Sequence, residues 1–175
     1  MADSETIVVG GGCFWCVEAV FARTDGILET TCGYAGGTVP NPTYEQVCTG
    51  TTGHAEVVRI RFDPDSLSLS ELLGLFFRAH DPTTRDRQGN DVGTQYRSII
   101  LVTPAQRETA VRAVQEAGKT RSIPVVTEVV DLRHFYPAEE HHQRYFEKNP
   151  YAGYCRAVIA PKIGKLGMDI APLSM

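Results

Sequence analysis

A short apolar segment near the start of the chain leads through three consecutive glycines to a cysteine. Residues 6–10 have the composition of a buried strand, and residues 13–21 have the periodicity of an amphipathic helix. The glycines at 10–12 let the backbone turn sharply and approach other groups closely. Cys13 is thereby predicted to lie at the start of the helix, where free N–H groups and the helix dipole stabilise a thiolate. We interpret Cys13 as a nucleophile with a lowered pKa; the alternative is a small buried apolar residue.

The order of the predicted elements indicates an α+β fold. Strands are predicted at residues 6–10, 27–35, 54–62, 96–102 and 124–130, helices at 13–21, 69–80, 103–118 and 138–147, and ordered loops at 36–53 and 81–95. Up to residue 102 the order is β-α-β-β-α-β, which is the split βαβ (ferredoxin-like) pattern of a mixed sheet, here with appended elements. From residue 148 onward, glycines and prolines predict a long irregular C-terminal tail. The length of 175 residues fits a single domain covering 1–175.

The composition argues against two classes of function. Seventeen Lys and Arg residues against 21 Asp and Glu residues give a net charge of −4, which is not typical of a protein that binds the nucleic-acid backbone. No apolar run reaches the roughly 18 residues of a membrane-spanning helix, so no membrane association is predicted. Residues 1–5 lack the basic start of a signal peptide, and we therefore expect a cytoplasmic protein.

The five cysteines cannot all pair within one chain. Cys13 and Cys16 form a C-x-x-C motif at the predicted helix start, which is also the signature of thioredoxin-like disulfide oxidoreductases. That function is the alternative prediction, although such a fold needs a strand, a helix and a strand before the motif. A zinc site would need a second pair of ligands, and because Cys32 and Cys48 are isolated, no metal is predicted.

Glu56 and two tyrosines are the other candidate catalytic groups. Glu56 shares the parity of the apolar positions in the strand at 54–62, so its carboxyl is predicted to lie on the buried face. Burial should raise its pKa, as a general acid at neutral pH requires; the alternative is an ion-paired carboxylate at an exposed strand end. Tyr44 and Tyr96 stand at loop edges, where they offer hydroxyls to a cleft or pack as half-buried residues. Together with a thiolate, these groups suit attack on a sulfoxide, whose oxygen must take up a proton.

Six sequence blocks resemble those of peptide methionine sulfoxide reductases of the A type. The blocks are GCFW at 12–15, GYAGG at 33–37, NPTYEQV at 41–47, TGHAEV at 52–57, HDPT at 80–83 and GTQYRS at 93–98. They occur in order, and the resemblance extends from about residue 5 to about residue 160. It implies an enzyme that reduces the S epimer of methionine sulfoxide, free or in oxidised proteins, without a cofactor.

The same resemblance implies a role for each residue that matches a motif. Cys13 would attack the sulfoxide sulfur and become a sulfenic acid as methionine leaves. The other implied roles are proton donation by Glu56, hydrogen bonding of the sulfoxide oxygen by Tyr44 and Tyr96, enclosure of the S-methyl group by Phe14 and Trp15, and further substrate contacts by Asp91 and His142.

The residues that recycle Cys13 depart from the family pattern. The usual motif has glycine after the tryptophan, whereas this chain has Cys16, and the cysteine-bearing C-terminal tail of many members is reduced to Cys155. Either thiol could resolve the sulfenic acid, and Cys155 is favoured because many members place the resolving thiol near this position. The resulting disulfide is expected to be reduced by thioredoxin through thiol–disulfide exchange.

Overall fold

The computed structural model describes residues 3–174; residues 1, 2 and 175, at the ends of the predicted 1–175 domain, lie outside the described part. The strands are β1 (Glu5–Gly11), β2 (Ile27–Ala35), β3 (Ala55–Phe62), β4 (Arg87–Gln88), β5 (Asp91–Val92), β6 (Ser98–Val102), β7 (Glu128–Asp131) and β8 (Phe135–Pro137). The α-helices are α1 (Phe14–Ala22), α2 (Tyr44–Cys48), α3 (Leu69–Ala79), α4 (Arg107–Lys119), α5 (Tyr145–Lys148) and α6 (Ala160–Lys165). Short 3-10 turns lie at Thr94–Tyr96, Pro104–Gln106 and Glu140–His142, and a π-helical turn lies at Cys155–Ile159. None of the helices in this described part has the length and apolar character needed to cross a membrane.

Six strands form one mixed sheet in the order β7-β6-β1-β3-β2-β8. β1 pairs antiparallel with β3 and β6, β2 pairs antiparallel with β3 and β8, and β7 runs parallel to β6. β4 and β5 form a separate two-stranded ribbon. The α+β class predicted from the sequence is confirmed, as are the bounds of the strand predicted at 27–35.

The central strand β1 is buried on both faces of the sheet. Ile7 and Val9 point to the larger apolar cluster, which they share with α1, α3 and the C-terminal helix. Val8 points to the opposite face and packs with residues of β3 and β6, such as Val57 and Ile99. Because side chains alternate between faces along a strand, this double burial explains the uninterrupted apolar run in the sequence. It also fixes the end of β1, and with it the glycine turn, inside the molecule.

The glycines at the end of β1 and directly after it are required by the close packing around the turn. Gly12 has a φ of 93°, a left-handed conformation that favours glycine. A Cβ atom on Gly12 would lie 2.6 Å from the Gln88 side chain, and one on Gly10 would lie 2.7 Å from the Glu56 carbonyl oxygen. Larger residues would therefore separate β1 from β3 and displace the start of α1.

Residues 153–165 are helical, so the prediction of an irregular tail from residue 148 onward is wrong for this part, whereas residues 168–174 have no regular structure. The π-helical turn continues into α6 without a break. Cys155, Ile159 and Ile163 recur at every fourth position, and all three are 0% exposed in the main core. Pro161 is the second residue of α6 and lies directly after the π-helical turn, where the helical hydrogen-bond pattern is already altered.

Other predicted elements differ in extent. The strand predicted at 124–130 pairs only over β7, and the helix predicted at 138–147 is divided into a 3-10 turn and α5. The division falls at Arg144, whose φ of 56° is left-handed. The loop predicted at 36–53 contains α2, and the loop predicted at 81–95 contains the β4–β5 ribbon.

Candidate active site

Cys13 lies between the glycine turn and α1, where it forms the N-cap of the helix. The residue is buried, with 9% of its surface exposed, and it lines a cavity together with Cys16. Its carbonyl oxygen accepts hydrogen bonds from the N–H groups of Cys16 and Val17, which closes the first turn. The predicted position of Cys13 at a helix N-terminus is confirmed.

The pKa of Cys13 is raised, however, and the prediction of a lowered value is wrong. Burial has the largest effect, and the hydrogen bond with Cys16 and the negative charges of Cys16 and Glu56 act in the same direction. The helix N-terminus gives limited compensation: the Trp15 N–H lowers the pKa of Cys13, but the Phe14 N–H donates to Glu56 Oε1 at 3.1 Å and not to the thiol. Cys13 is therefore protonated at neutral pH in the free protein.

Cys16 is the more acidic member of the thiol pair. The hydrogen bond with Cys13 lowers the pKa of Cys16 to about 7 against the effect of burial, and the charge of Lys162 and the hydroxyl of Tyr154 lower it further. The Sγ atom of Cys16 lies 3.5 Å from the Tyr154 hydroxyl oxygen. The two thiols are thus coupled, with Cys16 partly ionised near neutral pH and Cys13 donating a hydrogen bond to it.

Glu56 is a neutral carboxylic acid beside the thiol pair. It is 1% exposed on β3, so the predicted burial is confirmed. Burial raises the pKa of Glu56 to about 8 although the Phe14 N–H donates to it, and the charges of Asp91 and Cys16 add to the increase. The Oε2 atom is buried and has no hydrogen-bond partner among the described residues. At pH 7 this oxygen is available to give a proton to a bound substrate.

Phe14 and Trp15 form an aromatic wall next to Cys13. The buried Phe14 ring lies 5.4 Å from His142 and 6.3 Å from Tyr44, measured between ring centroids. Trp15 stacks on Tyr145 at 3.7 Å and donates its indole N–H to His142 Nδ1 at 3.2 Å. Because indole is only a donor, the proton of the neutral imidazole is on Nε2, a buried atom without a partner in the described chain. His142, predicted from the sequence as a substrate contact, thus lies against this wall, as does Tyr145, which was not predicted.

Tyr44 and Tyr96 are half-buried and lie close to Glu56. Burial and then the charge of Glu56 raise the pKa of both phenols, so both remain hydrogen-bond donors across the physiological range. Tyr44 begins α2, and its N–H donates to Glu139 Oε2 at 3.0 Å. The other oxygen of Glu139 accepts the Tyr34 hydroxyl at 2.9 Å. Glu139 thus joins α2 to β2 and fixes the start of the helix that carries Tyr44, a contact between distant segments that the sequence alone does not indicate.

Tyr154 is a site residue that the sequence analysis missed. Its hydroxyl donates to Asp91 Oδ2 at 2.7 Å and contacts Cys16 Sγ, and its ring lies edge-on to Trp15. Tyr154, on the C-terminal helix, therefore contacts both α1 and the β4–β5 ribbon next to the thiols. Its hydrogen bond also holds the predicted residue Asp91 at the site. The available signal was its position next to Cys155, which the incorrect prediction of an irregular tail obscured.

The remaining cysteines differ in their relation to the thiol pair. Cys155 is 0% exposed, and after burial it is the charge of Cys16 that raises its pKa. Cys32 is also buried, and its thiol donates to the Phe14 carbonyl oxygen at 3.6 Å, whereas Cys48 is exposed. Within residues 3–174, no group of three His, Cys, Asp or Glu side chains could hold a metal ion.

The fold and the site define a class of protein. An α+β chain in which a helix-capping cysteine and a neutral carboxylic acid face an aromatic wall is a thiol-dependent enzyme for a substrate whose oxygen must be protonated. The sequence model of the peptide methionine sulfoxide reductase family matches residues 5–171, and the chain belongs to this family. A thioredoxin-like fold is not supported, because β1 is the only strand before the C-x-x-C motif in the described chain.

Individual relatives agree with this assignment. The peptide methionine sulfoxide reductase MsrA of Nautilia profundicola is 58% identical over 159 residues, which cover 90% of this chain and 91% of the relative. The crystal structure of Mxr1 from Saccharomyces cerevisiae in reduced form is 36% identical, with a TM-score of 0.83 over 88% of this chain and 90% of that chain. The structure of Mxr1 in complex with Trx2 matches with a TM-score of 0.60 and 26% identity over 81% of this chain and 85% of that chain.

Proposed function

We propose that this enzyme reduces the S epimer of methionine sulfoxide, free or in oxidised proteins, with Cys13 as nucleophile and Glu56 as proton donor. The observation that carries the proposal is the state of Glu56. Its pKa of about 8 keeps the carboxyl protonated at pH 7, and its Oε2 atom has no partner among the described residues. A sulfoxide oxygen is a good acceptor for such a proton, and it becomes a better leaving group once it is protonated.

In the first step, the Cys13 sulfur attacks the sulfoxide sulfur. The Cys13 proton passes to the hydrogen-bonded Cys16 thiolate while Glu56 protonates the sulfoxide oxygen. The S–S bond formed by this attack and the S–O bond of the substrate then both break as the protonated oxygen moves to the Cys13 sulfur, so that the thiol and the sulfoxide give a sulfenic acid and methionine. Methionine sulfur gains two electrons and Cys13 sulfur loses two.

The substrate is held by the groups that surround these atoms. The hydroxyls of Tyr44 and Tyr96 lie close to Glu56 and donate hydrogen bonds to the same sulfoxide oxygen. The aromatic wall of Phe14 and Trp15 encloses the S-methyl group. The two further substrate contacts are Asp91, fixed by Tyr154, and His142, whose Nε2–H is unpartnered in the described chain.

In the second step, we assign the resolving role to Cys16 and not to Cys155, which the sequence analysis favoured. Cys16 is one helical turn from Cys13, shares a hydrogen bond with it and is partly ionised at neutral pH. Its sulfur attacks the sulfenic acid, and the products are a Cys13–Cys16 disulfide and water. Cys155 is buried beside Cys16 and takes no part in this step.

Reduction of the disulfide by thioredoxin completes the cycle. Two electrons from a dithiol return Cys13 and Cys16 to thiols through exchange. The complex of the related Mxr1 with Trx2 supports thioredoxin as the partner. Because the cycle requires Cys13 and Cys16 to be free thiols at rest, and all five cysteines are free here, a reducing compartment such as the cytoplasm is the proposed location.

Turnover of the separated sulfoxide epimers tests the proposal. With dithiothreitol as reductant, we expect consumption of the S epimer and no consumption of the R epimer. Cys13→Ser should abolish turnover. Cys16→Ser should still release methionine once per enzyme, more slowly because it lacks the thiolate that accepts the Cys13 proton, but should lose cycling with thioredoxin. Cycling that persists in Cys16→Ser and is lost in Cys155→Ser would return the resolving role to Cys155.

We also propose that residues 1–175 form one domain built on a split βαβ core. In support, β1 and β2 are parallel with β3 between them, and β6 lies on the other side of β1. The C-terminal helix and β1 contribute to the same apolar cluster, so the two ends of the chain share one core.

A further inference from the structure

A cleft with a volume of 960 Å³ opens onto Cys13 and Cys16. Its walls come from the end of α3, the β4–β5 ribbon and the C-terminal helix. This volume is at the upper end of the range of about 300–1,000 Å³ for small-molecule sites. Of the groups assigned to the sulfoxide, Cys13 and Asp91 line this cleft, whereas Glu56, Tyr44 and Tyr96 do not. The cleft therefore adjoins the sulfoxide site at Cys13 and has room for the residues that flank the side chain in a peptide.

The cleft is positively charged although the chain as a whole carries a net charge of −4. Its cationic side chains are Arg78, Arg121, Lys162 and Lys165, and its carboxylates are Asp81 and Asp91. Both carboxylates are already hydrogen-bonded within the protein, to Thr83 and Tyr154 respectively. Arg78, Lys162 and Lys165 form no ion pair with any other described residue. Four cations against two carboxylates leave the cleft with a net positive charge.

We propose that this cleft gives the enzyme a preference for methionine sulfoxide residues flanked by aspartate or glutamate. The inference rests on the proposed function and adds the class of protein substrate. Carboxylates on the flanking residues bind the cleft cations while the sulfoxide reacts at Cys13.

The spacing of the cations fits a peptide. Lys162 and Lys165 are three residues apart in a helix, a separation that places side chains about 5–6 Å apart. Alternate side chains of an extended peptide point the same way about 6.6 Å apart. Arg78 comes from the end of α3, on another wall of the cleft. The cations are thus spread along a path. A site for a single small anion would instead require them to converge on one point.

Three peptides test this preference. They have the same length and one central methionine sulfoxide, with flanking aspartates, serines or lysines. Dithiothreitol serves as reductant, so that docking of thioredoxin does not affect the rates. At low ionic strength we expect kcat/KM to be about tenfold higher for the acidic than for the basic peptide, and the ratio should fall towards one at about 0.5 M salt. An acidic peptide with unoxidised methionine should inhibit competitively.

Charge reversal of exposed cleft residues tests the position of the site. Arg78→Glu and Lys165→Glu should each reduce the acidic-to-basic ratio by about threefold or more. Arg121 is unsuitable because it also holds two backbone carbonyl oxygens. Arg133→Glu is the matched control, since it makes the same change in net charge at an exposed residue that lines a separate cavity. It should leave the ratio unchanged.

Each outcome has a distinct meaning. Equal kcat/KM for the three peptides, or equal effects of Lys165→Glu and Arg133→Glu, would overturn the inference and leave the proposed function intact. Absence of turnover with every peptide would instead overturn the proposed function. If the peptides react equally but a thiol reductant with carboxylates, such as glutathione, reacts faster than a neutral thiol, the cleft serves the reductant and the inference is wrong.

Discussion

Replacement of Glu56 by glutamine separates its chemical role from its structural role. The glutamine side chain is an amide of the same shape that can still accept the Phe14 N–H but has no acidic proton to give. Loss of a positioned general acid lowers rates by about 10²–10⁴-fold. We therefore expect the single-turnover rate of methionine formation in Glu56→Gln to fall at least about 100-fold at pH 7.

The pH dependence of this rate provides a second signature. Since Glu56 has a pKa of about 8 and must be protonated, the wild-type rate should fall as the pH rises above 8. Cys16 must accept a proton, so the rate should also fall below its pKa of about 7. In Glu56→Gln the alkaline decrease should disappear and the acid decrease should remain. Rapid-quench measurements between pH 5.5 and about 9.5 resolve both limbs.

The same substitution has a predicted effect on stability. Because the pKa of Glu56 is raised from 4.5 to about 8 in the folded state, the wild-type free energy of unfolding falls as the pH rises between these values. The shift corresponds to about 5 kcal/mol once the pH exceeds 8. Urea denaturation should therefore show that Glu56→Gln is more stable than the wild type at pH 9 and has a smaller pH dependence.

Glu18→Gln is the matched control for the loss of a buried carboxyl. Glu18 is also 1% exposed, but its carboxylate accepts hydrogen bonds from Thr30 Oγ1 and the Arg144 N–H. Its charge is not among the causes of the raised pKa of Cys13. Its substitution should change stability and leave the rate of methionine formation within a few-fold of wild type. The reasoning is refuted if Glu56→Gln keeps more than half of the wild-type rate, or if its alkaline decrease persists.

Two further predictions concern positioning and stability. Glu139→Gln weakens the contacts to the Tyr44 N–H and the Tyr34 hydroxyl, and it should lower kcat/KM about threefold. In a Tyr44→Phe background the same substitution should have no additional effect on kcat/KM. A purely structural effect of Glu139→Gln would persist in that background. Arg23→Met leaves the buried Glu147 carboxylate without its cation, which lies 2.6 Å away. This should cost about 3–5 kcal/mol in urea denaturation, and Arg23→Met combined with Glu147→Leu should recover most of the loss.

Local patterns were sufficient to predict the elements that pack against the sheet. The apolar run at 6–10 and the alternation at 54–62 are direct consequences of burial on one or two faces. Ser68 caps the helix predicted at 69–80, and its hydroxyl accepts the Glu71 N–H as the sequence indicates. The C-terminal helix was missed because glycine and proline are strong local signals for irregular structure. Its buried residues are spaced four positions apart, but this spacing indicates a helix only once the core against which they pack is known.

The site residues were predictable as a set, but their electrostatics were not. A helix N-terminus lowers a thiol pKa through the N–H groups that point at the sulfur. Here the Trp15 N–H has this effect on Cys13, but the Phe14 N–H is used by Glu56. Burial and the neighbouring Cys16 then decide the pKa of Cys13. The parity of Glu56 on its strand gave its burial correctly, since parity is a local property. The contact of Tyr154 with Asp91 joins residues 63 positions apart, and no local pattern indicates it.

The most direct test of the mechanism is to identify the disulfide that forms when the reduced protein reacts with one equivalent of sulfoxide and no reductant. Cleavage after lysine and arginine places Cys13 and Cys16 together in the peptide 1–23 and Cys155 in the peptide 149–156. The mechanism predicts that the 1–23 peptide becomes lighter by two hydrogen atoms and is not linked to any other peptide. A cross-link between 1–23 and 149–156 as the first product, formed at the rate of methionine release, would contradict it.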